Sequence, residues 1–350
     1  MKYRSISAVL LICVLILGSS NLAVTQNKRV GTAAAAELLV PIGARDLALG
    51  GSGIASSHGL EAIYWNPAGL GRIGHNAEAM FSSMSYIADI GVKYGAVGSS
   101  FGDFGVIGLS IKSIGLGDIS LTTVDDPDGL GGRTFSPAFI TVGLTYARAL
   151  TDAISAGATV KVVSEQVDRV SASAVAFDFG VQYSRLGGIN GLAVGVAVKN
   201  IGPQMKYEGS GLFREATASN ASRSAQQYKS EAASAELPSL IEIGLSYSSR
   251  LTDDMTYQVN TSFANNNLYL DEYRMGGEVG YAVSDFQLFG RFGIALVPKN
   301  ENVEQESLFG PTFGFGLVTS TAGIEMTVDY TYRTAKFFDA NQALSLKLGF

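Results

Sequence analysis

The side chains that could carry catalysis are few and are poorly placed for it. The sequence has one cysteine, Cys13, and two histidines, His58 and His75. The segment Gly98–Gly102 (GSSFG) matches the pattern G-x-S-x-G, but a nucleophilic serine of that kind needs a strand-to-helix turn and a histidine later in the chain. No histidine follows His75. We therefore assign no catalytic residue and predict that the protein is not an enzyme.

Metal and cofactor sites are not predicted either. The segment Asp125–Gly129 (DDPDG) resembles part of a calcium loop, but Val124 and Phe135 occupy the first and twelfth positions, where such a loop requires acidic ligands. We interpret this segment as a turn. Transition metals need clusters of cysteine and histidine, and two isolated histidines do not form one. We expect no metal and no cofactor.

Charged residues instead recur on one face of alternating segments. In the last segment, Leu344, Leu346, Leu348 and Phe350 alternate with small or polar residues. This period of two is typical of β-strands with one apolar face. On the polar faces we predict a set of charges that point into the lumen of a barrel: Lys161, Asp178, Lys199, Glu242, Arg274, Glu278, Arg291, Glu325, Asp329 and Arg333. Their mixed signs indicate internal salt bridges, which would fix the shape of the barrel and anchor a segment inside it.

The composition favours an all-β protein of the outer membrane. Of the 350 residues, 47% are hydrophobic and 16% are charged, against roughly 25% charged in an average soluble domain. The net charge of −6 argues against a nucleic-acid-binding protein. Beyond the N-terminus, no apolar run is long enough to span a membrane as a helix. The alternating segments predict a transmembrane antiparallel barrel of about 14 strands.

The connections and aromatic residues give this barrel an orientation. Short turns alternate with longer connections, notably near 115–136 and 202–237, and bacterial barrels place their long loops on the extracellular side. Such barrels also carry girdles of aromatic residues at both membrane interfaces. At the long-loop rim we predict a girdle of Tyr86, Phe263, Tyr273, Phe309 and Tyr332.

The N-terminal part divides into an export signal and a plug. Lys2 and Arg4 precede the apolar run Ala8–Leu17 and the small residues Gly18–Ser20, which is the order of a secretory signal. We predict a signal peptide over residues 1–23, a lumenal plug or hatch over 24–75, and the barrel over 76–350. The protein is then exported to the outer membrane of a bacterium with two membranes.

The predicted plug resembles a known family. The runs Pro41–Arg45 (PIGAR), Leu47–Gly51 (LALGG) and Ala62–Leu70 (AIYWNPAGL) resemble the N-terminal signature of the PorV/PorQ family of outer-membrane proteins. The core Asn66-Pro67-Ala68 is also similar to the hatch motif of the FadL group of long-chain fatty acid transporters, although Asn before Pro is a common turn. The resemblance implies a fourteen-stranded barrel with an N-terminal hatch. It also implies that the last strand, which ends in Phe350, is similar to the signal read by the barrel-assembly machinery.

Two further predictions concern individual plug residues. Arg45 and Asp46, charged residues in an otherwise apolar segment, are expected to bind some of the lumenal charges. Together with Arg45 and Asp46, the candidate ligand or hatch residues are Trp65, Asn66, Pro67 and Ala68.

Two functions of different classes remain open. Family members assist type IX secretion, and the 202–237 loop, with Phe213 and Tyr228, would then dock a secretion channel or exported proteins. The alternative is a FadL-like conduit for a hydrophobic small molecule. For that reading, lumenal glycines would make room for a ligand or merely ease strand curvature: Gly143, Gly157, Gly195, Gly244, Gly276 and Gly314. A structural barrel with a sealed lumen is a third reading. Outer-membrane lipid is a partner in every case.

Overall fold

The computed structural model describes residues 32–217, 224–298 and 307–350. The predicted signal peptide, residues 1–23, and the first part of the predicted plug lie outside the described residues.

Fourteen antiparallel strands form a closed barrel, which confirms the predicted architecture. Each strand pairs with the next along the chain, and the last strand pairs with the first, Phe81 lying opposite Leu346. In chain order the strands are β1 (Ala77–Ser85), β2 (Gly91–Ser100), β3 (Val106–Gly115), β4 (Ala138–Ala149), β5 (Ile154–Val167), β6 (Val170–Ser184), β7 (Leu192–Ile201), β8 (Leu240–Arg250), β9 (Met255–Asn266), β10 (Glu272–Val283), β11 (Phe286–Leu296), β12 (Phe309–Thr321), β13 (Ile324–Ala335) and β14 (Asn341–Gly349).

The barrel wall has an apolar outer face and a mixed inner face, because successive side chains of a strand point to opposite sides. On β6, Phe179 and Val181 are about half exposed on the outside, whereas Asp178 and Gln182 are buried on the inside. The same alternation on the other strands produces a continuous outer band of aliphatic and aromatic side chains. Among the described residues, no helix has both the length and the apolar character that a membrane crossing requires.

The two rims differ in the length of their connections. Short turns join β4 to β5, β8 to β9 and β12 to β13, whereas residues 116–137 and 202–239 form long loops at the opposite rim. The first long loop carries a small hairpin in which Ile119 pairs with Phe135. The second carries two small sheets, Met205–Lys206 with Ser234–Ala235 and Phe213–Ala216 with Gln226–Lys229.

The plug lies inside the barrel as a chain of short helical turns. These are Ala36–Leu39, α1 (Ala44–Ala48), Gly53–Ala55, Gly59–Glu61, α2 (Ala62–Trp65) and Pro67–Arg72. Isolated helical turns of three to six residues are not stable, so their structure depends on contacts with the wall. Apolar plug residues such as Leu47 and Leu60 share one buried cluster with Met80 of β1 and Tyr94 of β2. The inner faces of β1 and β2 thus contribute Met80, Met84, Val92, Tyr94 and Ala96 to a core shared with the plug.

Candidate functional site

Glycines of the wall allow the plug to approach the barrel backbone. A Cβ atom added at Gly157 would lie 2.4 Å from the Pro67 carbonyl oxygen, and one at Gly195 would lie 2.3 Å from the Ile54 carbonyl oxygen. Real Cβ atoms essentially never make contacts under 3.0 Å, so only glycine fits at these positions. At five further inward glycines an added Cβ would also lie less than 3.0 Å from a plug atom. These are Gly276 and Gly293, which face plug backbone, and Gly180, Gly244 and Gly314, whose nearest plug atoms belong to side chains. We call these seven residues the glycine belt.

Six of the seven belt glycines face each other in pairs across neighbouring strands. Gly157 is opposite Gly180, Gly195 is opposite Gly244, and Gly276 is opposite Gly293. The sequence predicted that several of these glycines either accommodate a ligand or ease strand curvature. The first alternative is wrong for the belt, because plug atoms fill the space that these glycines leave. Gly143, also in the predicted set, instead faces the Ser110 side chain of β3, with Ser110 Oγ 2.8 Å from its added Cβ.

Asn66 joins the plug to two wall strands. Its side-chain Nδ2 donates hydrogen bonds to the carbonyl oxygens of Ile54 (2.8 Å), Val181 (3.3 Å) and Val196 (3.4 Å). Its Oδ1 accepts from the Ala68 backbone N–H at 3.2 Å. The side chain thus caps the turn Pro67–Arg72, with Pro67 at the first helical position, where its missing N–H costs nothing. Asn66 is fully buried, and all of these contacts are made with protein atoms.

Arg45 of the plug lies in an ion-pair network with the wall. Its Nη2 is 3.3 Å from Glu278 Oε1 on β10, and its Nη1 is 3.2 Å from Asp46 Oδ1. Arg291 of β11 binds Glu278 Oε2 and Asp329 Oδ1, each at 2.5 Å. Glu278 therefore connects the plug to the wall through two arginines. Such charge-assisted hydrogen bonds are directional and position the groups that make them.

The acidic residues of the plug hold their protons more tightly than usual. Burial, with repulsion from Asp46 and Asp329, raises the pKa of Glu61 to about 8. Burial also raises the pKa of Asp46, against the attraction of Arg45. Glu61 Oε1 accepts a hydrogen bond from the Asp46 backbone N–H at 3.0 Å. At neutral pH, protonation of Glu61 reduces the excess of negative charge around Arg45.

A second network surrounds the aromatic pair at the end of α2. Lys199 Nζ lies 2.5 Å from Glu242 Oε2, and Arg274 Nη1 lies 2.6 Å from Glu242 Oε1. Lys199 also lies over the rings of Tyr64 (4.9 Å) and Trp65 (5.7 Å), where a cation is attracted by the ring electrons. The Trp65 indole N–H donates to the Ile42 carbonyl oxygen at 3.1 Å. Trp65 is therefore held by the plug on one side and faces wall charges on the other.

The other predicted lumenal charges also lie on the inner face. Lys161 Nζ is 2.8 Å from Asp178 Oδ1. Glu325 lies near the short-turn rim, where its Oε2 is 3.9 Å from His75 Nε2. Arg333 lies at the long-loop end of β13. The Phe350 carbonyl oxygen accepts hydrogen bonds from the N–H groups of Asn76 and Ala77, and its role as an assembly signal remains a prediction.

Sequence reasoning missed a third group of charges. Lys112 of β3 is buried and donates to the carbonyl oxygens of Glu37 (2.7 Å) and Val40 (3.2 Å) in the plug. Burial and the neighbouring Glu165 carboxyl raise the pKa of Glu37 to about 8. Glu165 of β5 in turn accepts a hydrogen bond from the Tyr207 hydroxyl of the long loop. The sequence contained the information to predict them. Lys112 is an even number of positions from the other inward residues of β3, and Glu165 is an even number of positions from Lys161, so both side chains point to the inner face.

A chamber lies between the plug and the long-loop rim. Its volume is about 250 Å³. It is lined by aromatic residues of plug and wall (Tyr64, Trp65, Tyr86, Tyr269 and Phe309) and by the charges of Lys199, Glu242, Glu272, Arg274 and Arg333. We call it the upper chamber.

Two aromatic residues of the predicted girdle line this chamber instead. Phe309 would share the outer face of Phe313 and Phe315 if β12 alternated without interruption. A register shift between Phe309 and Thr312, next to Pro311, breaks the alternation, and Phe309 then contacts the chamber. Tyr86 also lines the chamber, from the connection between β1 and β2. The prediction that Tyr86 and Phe309 belong to the aromatic girdle at the membrane interface is wrong, because both line the chamber.

The fold and the plug together define a fourteen-stranded membrane barrel that contains an N-terminal plug. The structure is similar to the Ralstonia pickettii toluene transporter TbuX, with 14% identity, a TM-score of 0.54, and coverage of 89% of this chain and 98% of that chain. It is also similar to the P. putida toluene transporter TodX, with 11% identity, a TM-score of 0.54, and coverage of 88% and 96%. These likenesses establish the fold.

The sequence then specifies the family. The model of the family described as type IX secretion system protein PorV matches residues 23–223. The chain belongs to the PorV family, and its place is the outer membrane. No functionally curated protein matches the chain in sequence.

Proposed function

We propose that the protein is a non-enzymatic component of a type IX-like secretion system and presents its long loops to exported proteins or to a secretion channel. The observation that carries this proposal is the fit between the plug and the glycine belt. Plug backbone atoms occupy the space that Cβ atoms would take at Gly157, Gly195, Gly276 and Gly293. Family membership supplies the type IX context, and a filled lumen favours the loops as the surface for partners.

The 202–237 loop is the best candidate for that surface because it is both exposed and anchored. Its hairpin Phe213–Ala216 with Gln226–Lys229 is exposed at every residue. At its base, Met205 and Leu237 are buried in a cluster with Leu38 of the plug. Phe213 and Tyr228 lie on opposite faces of the hairpin, since Phe213 pairs with Lys229 and Arg214 pairs with Tyr228. A partner that grips the hairpin from both sides would contact both aromatic rings.

Removing the hairpin tests this proposal without disturbing the barrel. The Ser230 N–H donates to the Leu212 carbonyl oxygen at 2.8 Å, so residues 213–229 can be replaced by Gly-Gly. We expect exported proteins to be lost from the cell surface, measured by antibody labelling of intact cells. As a matched control, residues 122–132 of the other long loop are replaced by Gly-Gly, since the Leu121 N–H and the Arg133 carbonyl oxygen are 2.8 Å apart across it.

The folding of both shortened proteins is checked separately from the surface display of exported proteins. Both shortened proteins must remain compact in unheated gel electrophoresis, as folded barrels do. Unchanged surface display after removal of 213–229, in cells where the barrel is folded and abundant, would contradict the proposal. Equal loss in both variants would assign the effect to loop length and would also contradict a specific role of this hairpin.

The fold and the upper chamber favour a second candidate function, passage of a hydrophobic small molecule. Passage through the lumen requires the plug to leave the wall. The Ser56 hydroxyl donates to Asn260 Oδ1 of β9 at 2.9 Å, so a short cross-linker between cysteines in Ser56→Cys/Asn260→Cys would fix the plug. Uptake of a radiolabelled aromatic hydrocarbon that falls on cross-linking would support the conduit. Uptake that is unaffected by the cross-link would contradict passage through the lumen by plug movement. Surface display of exported proteins is expected to survive the cross-link.

A further inference from the structure

The described residues that line the upper chamber carry one more positive charge than negative. They include three cations and two carboxylates. Glu242 is bound by Lys199 and Arg274, and Glu272 Oε2 is bound by Arg274 Nη2 at 2.8 Å. Both carboxylates are therefore engaged by these two cations. Arg333 supplies the remaining positive charge.

The guanidinium of Arg333 has the Tyr86 side chain as a hydrogen-bond partner, but two of its nitrogens have none. Its Cζ atom lies 3.4 Å from the centroid of the Phe309 ring and 6.0 Å from that of Tyr86. Its Nε and Nη2 atoms are buried and make no hydrogen bond to any residue in the described ranges. A buried charged donor without an acceptor is strongly unfavourable. An anion that reached these two nitrogens would remove that penalty.

The geometry of the two free donors indicates which anion fits. Nε and Nη2 lie on the same edge of a guanidinium, and this edge donates two parallel hydrogen bonds to the two oxygens of a carboxylate. The aromatic rings beside Arg333 suit a flat apolar body attached to that carboxylate. The chamber volume of about 250 Å³ favours a compact ligand.

We propose that the upper chamber binds a compact aromatic carboxylate through Arg333. The carboxylate accepts hydrogen bonds from Nε and Nη2, and the ring lies among Tyr86, Phe309 and Trp65. This proposal goes beyond the function proposed for the loops, because the chamber is a separate site inside the barrel. The same chemistry is available from a free aromatic acid and from the C-terminal aromatic residue of a polypeptide, and the test below separates these two sources.

The chain contains its own reporter for this site. Trp65 is the only tryptophan, and it lines the chamber. Phenylacetate is titrated into the full mature protein in a non-ionic detergent, with binding followed by calorimetry and by Trp65 fluorescence. We expect saturable binding of phenylacetate and much weaker binding of its neutral isostere phenylacetamide. A short peptide that ends in phenylalanine is then compared in its free-acid and C-terminally amidated forms.

Two variants assign the binding to Arg333. Arg333→Gln is expected to weaken phenylacetate binding by about ten- to a hundredfold, as the loss of a charge-assisted pair of hydrogen bonds predicts. Arg250→Gln, which removes an exposed arginine at the end of β8, is expected to leave it unchanged. Unheated gel electrophoresis checks that both variants are folded.

The outcomes are distinct. Carboxylate-dependent binding of phenylacetate supports the site with a free acid as its ligand, and binding of the free-acid peptide alone supports it with a polypeptide terminus. The proposal is overturned if neither probe binds up to about 10 mM, a limit at which affinity is negligible. It is also overturned if phenylacetamide binds as tightly as phenylacetate, or if Arg333→Gln binds like the unaltered protein. None of these readouts depends on secretion, so failure here leaves the loop proposal to its own test.

Discussion

Replacing Gly195 with alanine tests whether the plug is fixed by the glycine belt. The new Cβ would lie 2.3 Å from the Ile54 carbonyl oxygen and 2.7 Å from the Ala55 Cα atom. Both are backbone atoms, so no side-chain rotation relieves the clash. Overpacking of this kind costs about 1–3 kcal/mol. A cost of about 2 kcal/mol raises the population of the detached plug about 30-fold.

Gly290→Ala is the matched control. Gly290 is also in the middle of a strand, and nothing lies within 4 Å of its added Cβ. In a strand, alanine is favoured over glycine by roughly 0.5–1 kcal/mol. We therefore expect Gly290→Ala to be neutral or slightly stabilising, although the two substitutions are chemically identical.

Thiol labelling measures plug detachment directly. Ser57 is fully buried in the plug, and Ser57→Cys is nearly isosteric. In a background without Cys13, the labelling rate of this thiol follows the population of open plug when opening and closing are fast. We expect labelling about 30 times faster in Gly195→Ala than in Gly290→Ala. Equal rates in the two variants, with both barrels folded, would refute the reasoning that the belt positions the plug.

Three further substitutions have expected outcomes. Asn66→Ala removes the amide that bonds to wall and plug carbonyls and should destabilise plug docking by about 1–3 kcal/mol, measured by the same thiol labelling. Arg291→Met leaves the carboxylates of Glu278 and Asp329 without this partner and should lower the free energy of unfolding by about 3–5 kcal/mol, measured by denaturant titration of the detergent-solubilised barrel. Glu37 has a pKa raised from 4.5 to about 8 in the folded protein, so it contributes stability that is lost as pH rises between those values. Glu37→Gln should flatten that part of the dependence of melting temperature on pH.

For each of the three substitutions, a different result would contradict the expectation. Labelling of Asn66→Ala at the unaltered rate would mean that its amide is dispensable for docking. Arg291→Met within about 0.5 kcal/mol of the unaltered protein, the range of a surface substitution, would show that the buried network contributes little. A melting temperature of Glu37→Gln that falls between pH 5 and pH 8 as steeply as that of the unaltered protein would assign the pH dependence to other groups.

The strands could be predicted from the sequence because the membrane requires an apolar residue at every second position. Each strand has lipid on one side, and the outward residues must be apolar whatever the inner face contains. The alternation around Leu344, Leu346 and Leu348 therefore predicted the last strand closely, and the parity of Asp178 and Glu242 placed both on the inner face, where they lie. The same rule failed at Phe309, because a one-residue irregularity reverses the faces of a strand.

The sequence did not predict which residues the inward side chains contact. The sequence places Arg45 and Glu278 more than two hundred positions apart, and their contact depends on the path of the plug through the lumen. Likewise, an inward glycine has the same appearance in the sequence whether it faces a ligand, a cavity or another backbone. Only the three-dimensional packing shows that Gly157 faces Pro67 and that Gly195 faces Ile54.

The sequence by itself thus determined the class of protein, the number of strands and the inner face of the ten predicted lumenal charges, because these follow from local alternation against a uniform lipid environment. The tertiary structure decided that the glycines hold the plug, that Glu242 and Glu278 are neutralised by specific cations, and that Arg333 remains with two unmatched donors. Those properties depend on which atoms meet across the lumen, and such contacts join residues far apart in the chain.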